Sequence, residues 1–382
     1  MAKNKNTPVA IPQKEERNMG IELFRVVSML LVVMLHVLGH GGVYSHATRL
    51  SDNYQVAWFL ETLAYCSVNC YALISGYANV KAGFKFRKIV YLWLEVVFLN
   101  VGLTAVMDFL VPTAEVTTEY WLRAFFPLTK RAFWYFCAYF FMFPLIPVLN
   151  KGLLSLQKYQ HIIIIFMLQV PTVFRLIVLK DNYVMGSGYS ALWLICLYVI
   201  GAYFRIYGAP RWAKWYVTLP AFFGAAYIAW GYKINIETQY AEKLIDKESE
   251  IYTNRGILIS YISPCMVVMA VALMLFFMRI NIKGKIPKII ISNLGKATFG
   301  VFILHVGAAF WYYDEFWSKF NAYAKLPTED MVFAVIGTAL AIFSVASLIS
   351  IGRIYLFRLL RIHKLVDLIA DLPSKLKAKK AK

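Results

Sequence analysis

The chain has 382 residues, of which 60% are hydrophobic and 16% charged. Soluble domains average roughly 45–50% apolar and about 25% charged residues, so a soluble globular enzyme is excluded and an all-α, polytopic integral membrane protein is expected. A formal charge of +19 would suggest nucleic acid in a soluble protein; here its distribution along the chain matters more than its sum, and no nucleic-acid partner is expected.

Apolar runs long enough for a helical span number about ten, at approximately 20–38, 55–79, 89–111, 133–149, 161–178, 189–206, 214–231, 254–279, 297–313 and 331–352. Alternate connections are basic: the N-terminal tail, 81–88, 151–160, 205–214, 279–296 and the C-terminal tail fall on one side, the pattern of the positive-inside rule. Both termini are therefore expected in the cytoplasm, with the chain a multi-pass protein of the cell (plasma) membrane. The acidic connection with Glu237, Glu242, Asp246, Glu248 and Glu250 falls outside. Residues 1–19 read as a polar cytoplasmic tail without a cleavable signal pattern and 20–352 as the transmembrane domain. Residues 353–382 read as a basic amphipathic tail lying on membrane lipid at the inner surface.

The first span, ELFRVVSMLLVVMLHVLGHGG, sets Arg25 and His36 eleven positions apart. That is close to three helical turns, so both share a face, on the order of 16 Å apart along the axis. Glu22 and His40 continue the stripe. Charged groups in hydrocarbon usually face a bundle interior or a wet cavity, so this stripe is the candidate spine of a site. In the second span Glu61 lies at a depth comparable to His36. A Glu61–His36 contact serves either catalysis or interhelical glue. The connection KAGFKFRK then presents Lys85, Arg87 and Lys88 either to anionic headgroups or to the phosphates of a cytosolic cofactor.

The third span carries Glu95 and Asn100, and Arg123, Lys130 and Arg131 follow on the outer side, against the charge rule. Trp134 and Tyr135 enter the fourth span at the outer interface, where aromatic belts are common anyway, and Pro144 and Pro147 are expected to kink it. Arg175 is a further intramembrane charge near the outer side, Tyr189 and Trp193 open the sixth span, and the seventh reads as structural. The eighth holds Pro264. In the ninth, His305 either joins the site or satisfies a backbone carbonyl. All five cysteines (Cys66, Cys70, Cys137, Cys196, Cys265) lie within spans, which argues against a disulfide framework, and no metal site is expected at Cys66 and Cys70.

Walker-type glycine loops, HExxH or CxxC spacings and a GxSxG elbow are absent from the sequence. An intramembrane His with an Arg on its own face and a Glu on the next helix suits general base catalysis, the imidazole taking a proton from a hydroxyl and the carboxylate orienting it. The same groups suit a proton or substrate pathway in a transporter.

These residues resemble the acyltransferase family 3 membrane proteins. The resemblance is carried by the Arg25-x10-His36 spacing, AWFLETLAYCSVNCYALISGY, the WY pair of FWYFCAYFFMFPLIPVLN, GYSALWLICLYVIGAYF and TFGVFILH, in family order. It implies a membrane O-acyltransferase moving an acyl group, usually acetyl, from cytoplasmic acyl-CoA to a hydroxyl of an extracytoplasmic carbohydrate or cell-surface glycan. His36 becomes the catalytic residue, Arg25 its partner, and Glu61 and Tyr135 further catalytic candidates. Arg25, Lys85, Arg87 and Lys88 are the candidates for acyl-CoA, and Trp134, Tyr135 and His305 for the acceptor. The family's R-x-x-R reads here as Lys85-Phe86-Arg87-Lys88, keeping charge but weakening bidentate phosphate geometry. With no hydrolase-like domain after the last span, either the chain completes the transfer alone or a separate extracytoplasmic transferase partner finishes it. The alternative reading is a transporter or flippase of a glycan or lipid-linked precursor.

Overall fold

Every regular element among the described residues is helical, and one helix sits at the centre of the others. The computed structural model describes residues 17–82, 85–179, 183–242, 251 and 254–370. Most of the N-terminal tail, most of the acidic connection and the lysine-rich end from 371 lie outside them. Helix α1 (Met19–Leu38) opens on Asn18, whose side chain accepts from the Gly20 and Ile21 amides and donates to the Met278 carbonyl. This is a capping arrangement that satisfies donors a helix start leaves free. Twelve of the twenty α1 residues are buried, because α1 is packed on all sides.

Its neighbours are α2 (Asp52–Tyr65), α3 (Ser67–Asn79), α10 (Pro264–Met278), α11 (Lys285–His305) and α12 (Thr328–Leu359). Between them in the chain come α4 (Phe86–Leu110), α5 (Trp134–Met142), α6 (Ile146–Ser155), α7 (Lys158–Val178), α8 (Ala191–Tyr207) and α9 (Trp215–Gln239). Two apolar cores flank α1. One gathers α3, α8 and α10 around Trp193, Tyr198 and Leu73, and the other gathers α11 and α12 around Val301, Val335 and Leu99 of α4.

Six helical stretches are long and apolar enough to cross a membrane: Met19–His46, Phe86–Leu110, Trp134–Ser155, Lys158–Val178, Lys285–His305 and Thr328–Leu359. These correspond to the first, third, fourth, fifth, ninth and tenth expected spans. The other four depart for identifiable reasons. The second is divided at Cys66 into α2 and α3, the sixth is only 17 residues long, and the eighth is helical only from Pro264. The seventh, expected over 214–231, runs on as α9 to Gln239, so Glu237, expected in the outer connection, lies on the helix and pairs there with Lys233, both buried. The fourth is interrupted at Phe143–Leu145, where Pro144 sits, before α6 begins with Pro147. Proline removes the amide that would continue the hydrogen-bond ladder. The ninth starts earlier than expected, so His305 is the last residue of α11 rather than near the middle of the expected 297–313 span.

The tightest crossing is α3 on α8. A Cβ on Gly76 would lie 2.0 Å from the Tyr198 carbonyl oxygen, and one on Gly201 would lie 1.9 Å from that of Leu73. Glycines facing each other let two backbones touch, the usual device for helix association in lipid. Around this seam, Trp193 donates to Asn69 Oδ1 at 3.1 Å, Asn69 donates to the Tyr261 carbonyl at 2.8 Å, and Tyr198 donates to Asn150 Oδ1 at 2.7 Å. We predict that Gly201→Ala lowers the thermal unfolding midpoint of the detergent-solubilised protein, a loss of about 1–3 kcal/mol from overpacking. Gly102→Ala, whose Cβ meets nothing within 4 Å, should leave it unchanged. Equal behaviour of the two variants would contradict this account of the seam.

Candidate active site

Along α1, Arg25 and His36 face one side, and each lines a cavity of its own. The Arg25 cavity, about 440 Å³, is bordered by Tyr71, Ser75, Asn79, Glu95, Tyr135, Tyr139, Lys296 and Arg353 among others. The His36 cavity, about 490 Å³, takes in His40, Tyr44, Glu61, Tyr65, Arg123, Trp134, Tyr189, Tyr261, Phe302 and Trp311. Aromatic side chains of the two cavities meet one another. Tyr135 faces the first cavity, while Phe302 and Trp134, with ring centroids 6.3 and 5.6 Å from it, face the second.

His36 is oriented by another histidine. Its Nδ1 lies 2.8 Å from His305 Nε2, and His305 Nδ1 lies 2.7 Å from the Val301 carbonyl oxygen. A carbonyl only accepts, so His305 Nδ1 carries a proton. With a single proton on that ring, Nε2 is an acceptor, and His36 Nδ1 must be the donor. The proton-free nitrogen of His36 is therefore Nε2, the one left for a substrate. His305, 1% exposed, does not line the His36 cavity; it stands behind His36 as a positioning residue. His40 stacks on Trp311 at 3.7 Å and is hydrogen-bonded through Nε2 to the Trp311 carbonyl at 2.7 Å, while His36 meets the same indole edge-on at 4.8 Å.

The remaining expected residues are distributed differently from the sequence reading. Glu61 shares the cavity with His36, but it is His305 that occupies His36 Nδ1. Glu61 Oε2 is buried without a partner, a carboxyl oxygen free for a ligand in the cavity. Trp134 lines the His36 cavity, as an acceptor-binding role requires, whereas Tyr135 turns into the Arg25 cavity with its hydroxyl buried and unpartnered. Successive helical residues point about 100° apart, so a WY pair at a helix start serves two cavities. Lys85, Arg87 and Lys88 line neither cavity. The first turn of α4 projects beyond the buried face that starts at Ile89, and Arg87 pairs at 3.3 Å with Asp367 of the C-terminal segment.

The cations that do border the Arg25 cavity are Lys296 and Arg353, which sequence reasoning missed. Arg353 was assigned to the cytoplasmic tail, yet α12 runs on to Leu359 and carries it inward, where it pairs with Glu95 of α4, both buried. Arg25 itself pairs with Glu22 at 3.2 Å, and its backbone carbonyl accepts from the Tyr71 hydroxyl at 2.8 Å. At the rim of the His36 cavity, Arg123 donates to Glu119 at 3.1 Å and to the Tyr312 hydroxyl at 3.3 Å. The Lys130 ammonium and the Arg123 guanidinium, both bonded to Glu119, hold its carboxyl below the usual carboxylate range. Among the described residues no three His, Cys, Asp or Glu side chains converge as metal ligands.

Breaking the Glu95–Arg353 pair is expected to cost about 3–5 kcal/mol, because a charge stays buried without its partner. Arg353→Met should therefore destabilise strongly, and adding Glu95→Leu should recover most of the loss. Thermal unfolding of the three proteins tests this, and a double variant no more stable than Arg353→Met would contradict it.

A protein family described as an acyltransferase domain matches residues 18–350 of the chain, a stretch that holds Arg25 and the whole lining of the His36 cavity. No curated relative and no solved structure matches.

Proposed function

Because the chain belongs to this acyltransferase family, we propose that it transfers an acyl group, acetyl first among candidates, from cytoplasmic acyl-CoA to a hydroxyl of an extracytoplasmic carbohydrate or cell-surface glycan, at the plasma membrane. The observation that carries this reading is the His36–His305 pair, a base with its free nitrogen fixed at the edge of an aromatic cavity. Aromatic walls with a few polar groups suit a sugar, whose C–H faces lie on rings while its hydroxyls find Glu61, Tyr44 and Tyr65. At the other end of α1, Arg25, Lys296 and Arg353 supply positive charge for the phosphates of the donor, which leaves Lys85, Arg87 and Lys88 to the membrane surface. The acyl end of the donor crosses the Tyr135–Phe302 layer to reach His36.

In the reaction, His36 Nε2 takes the proton of the acceptor hydroxyl as its oxygen attacks the acyl carbonyl carbon. The carbon–sulfur bond then breaks, CoA leaves as the thiolate, and the imidazolium proton neutralises it. His305 keeps Nδ1 occupied throughout and shares the positive charge as it forms on His36. Base and acceptor space lie in one cavity of one chain, which supports a transfer completed without a separate partner.

The test is acetyl transfer from labelled acetyl-CoA by protein reconstituted in lipid nanodiscs. His36→Ala is expected to lower turnover by about 10²–10⁴-fold, the usual worth of a positioned base. Arg25→Ala is expected to raise KM for acetyl-CoA more than it changes kcat. His305→Phe should lower kcat and disturb its pH profile with little change in KM for the donor. Unchanged turnover in well-folded His36→Ala would overturn the mechanism, and glycan translocation without acetyl-CoA turnover in the unmutated protein would favour the transporter instead.

A further inference from the structure

A third cavity, of about 280 Å³, adjoins the His36 cavity and shares Tyr65 and Tyr189 with it. Arg175 of α7, Lys233 of α9 and Arg255 before α10 all line it, and its described lining residues include no carboxylate. These cations come from three separate segments to one space. Lys233, whose side chain is 2% exposed, holds its ammonium 2.5 Å from Glu237 Oε1 and 3.9 Å over the Trp58 ring. Arg255 Nε lies 3.3 Å from the same oxygen, and Tyr54 donates to Glu237 Oε2 at 2.7 Å. From the facing wall Arg175 donates to Ser260 Oγ at 2.8 Å. The indole N–H of Trp58, which also lines the space, is buried without an acceptor.

Glu237 thus serves as a fixed post on which Lys233 and Arg255 are both set. A guanidinium carries five N–H donors, so a contact to protein and a contact to ligand are compatible in one side chain. Arg255 lines the cavity and keeps 27% of its side chain exposed. Arg175 lies in a helix long and apolar enough to cross a membrane, where a cation on a cavity is costly and marks a ligand site, and planar guanidinium groups match carboxylate and phosphate oxygens. Size decides what part of a ligand fits. Whole-ligand sites run about 300–1,000 Å³, so this space holds one charged group and its ring as an extension of the 490 Å³ cavity beside it.

The geometry points to an oxyanion subsite formed by Arg175, Lys233 and Arg255. The acceptor carries a carboxylate or phosphate that docks there while its reacting hydroxyl lies beside His36. The identification of the ligand as an acyl acceptor rests on the proposed function; the binding of an anionic sugar does not. Donor phosphates belong to the Arg25 cavity at the far end of α1, so CoA is not the occupant.

Equilibrium binding to the full chain in nanodiscs tests this with three probes: a glucuronic acid-containing disaccharide, its counterpart with the carboxylate reduced to an alcohol, and that neutral sugar bearing a phosphate monoester. At least one charged probe should bind about tenfold or more tighter than the neutral one, as loss of a charge-assisted hydrogen bond implies. The tighter of the two identifies the source of the anion. Arg255→Gln and Arg175→Gln, each checked for an unchanged unfolding midpoint, should remove the preference, and saturating CoA should leave it intact. Equal binding of all probes, binding of none, a preference that survives in both variants, or competition by CoA would overturn the subsite. The comparison of probes on the unmutated protein stands even if a variant misfolds. Failure of the acyl-transfer reading is seen separately, as absent acetyl-CoA turnover with the charge preference intact.

Discussion

The hydrogen bond between His36 and His305 is the contact on which the proposed chemistry of this fold depends. Without it, a neutral imidazole on α1 would be free to carry its proton on either nitrogen, and only one of the two arrangements leaves a base facing the cavity. The Val301 carbonyl settles the matter from a distance of two rings, through acceptor-only oxygen and the donor–acceptor logic of neutral imidazole. Because His305 is the last residue of α11 and α11 packs on α1, the base is set by helix packing, and the backbone carbonyl that fixes it belongs to the scaffold.

Among the described residues, each buried carboxylate, lysine or arginine is paired or borders a cavity. Glu22 with Arg25, Glu95 with Arg353 and Glu237 with Lys233 each set a buried carboxylate close to a cation, and each pair has its cation on a cavity. An isolated charge in hydrocarbon costs several kcal/mol, so carboxylates that hold these cations in position stabilise what the cavities require. The aromatic layer of Tyr135, Trp134 and Phe302 divides the space along α1 into a cationic chamber and an aromatic one. In the proposed reaction, that division gives donor and acceptor separate places.

Much of this was legible in the residue order. The eleven-residue spacing of Arg25 and His36 placed both on one stripe, and the structure gives each a cavity on that stripe. The prolines of the fourth span announced its interruption, and the all-helical architecture followed from apolar run lengths. What escaped were contacts between elements far apart in the chain. His305 is 269 positions from His36, and nothing local distinguishes a histidine that orients another from one that binds a ligand. Glu61, nearer in sequence, seemed the natural partner because consecutive helices are usually neighbours; it is a neighbour, but of the cavity. Arg353 was hidden by an apparent boundary, since a basic run after an apolar span reads as a membrane-surface tail until the helix is seen to continue. The Lys85–Lys88 cluster has a composition suited to phosphate, and its place at the start of α4 keeps it off the lining of the Arg25 cavity.

The most direct test of the central claim is the protonation pattern of His36 itself, read by solid-state ¹⁵N NMR of histidine-labelled protein in lipid bilayers, with His36 assigned by comparison with His36→Gln. The account predicts a neutral ring protonated on Nδ1, with a correlation from that proton to His305 Nε2. A His36 protonated on Nε2, or lacking that correlation in folded protein, would contradict it.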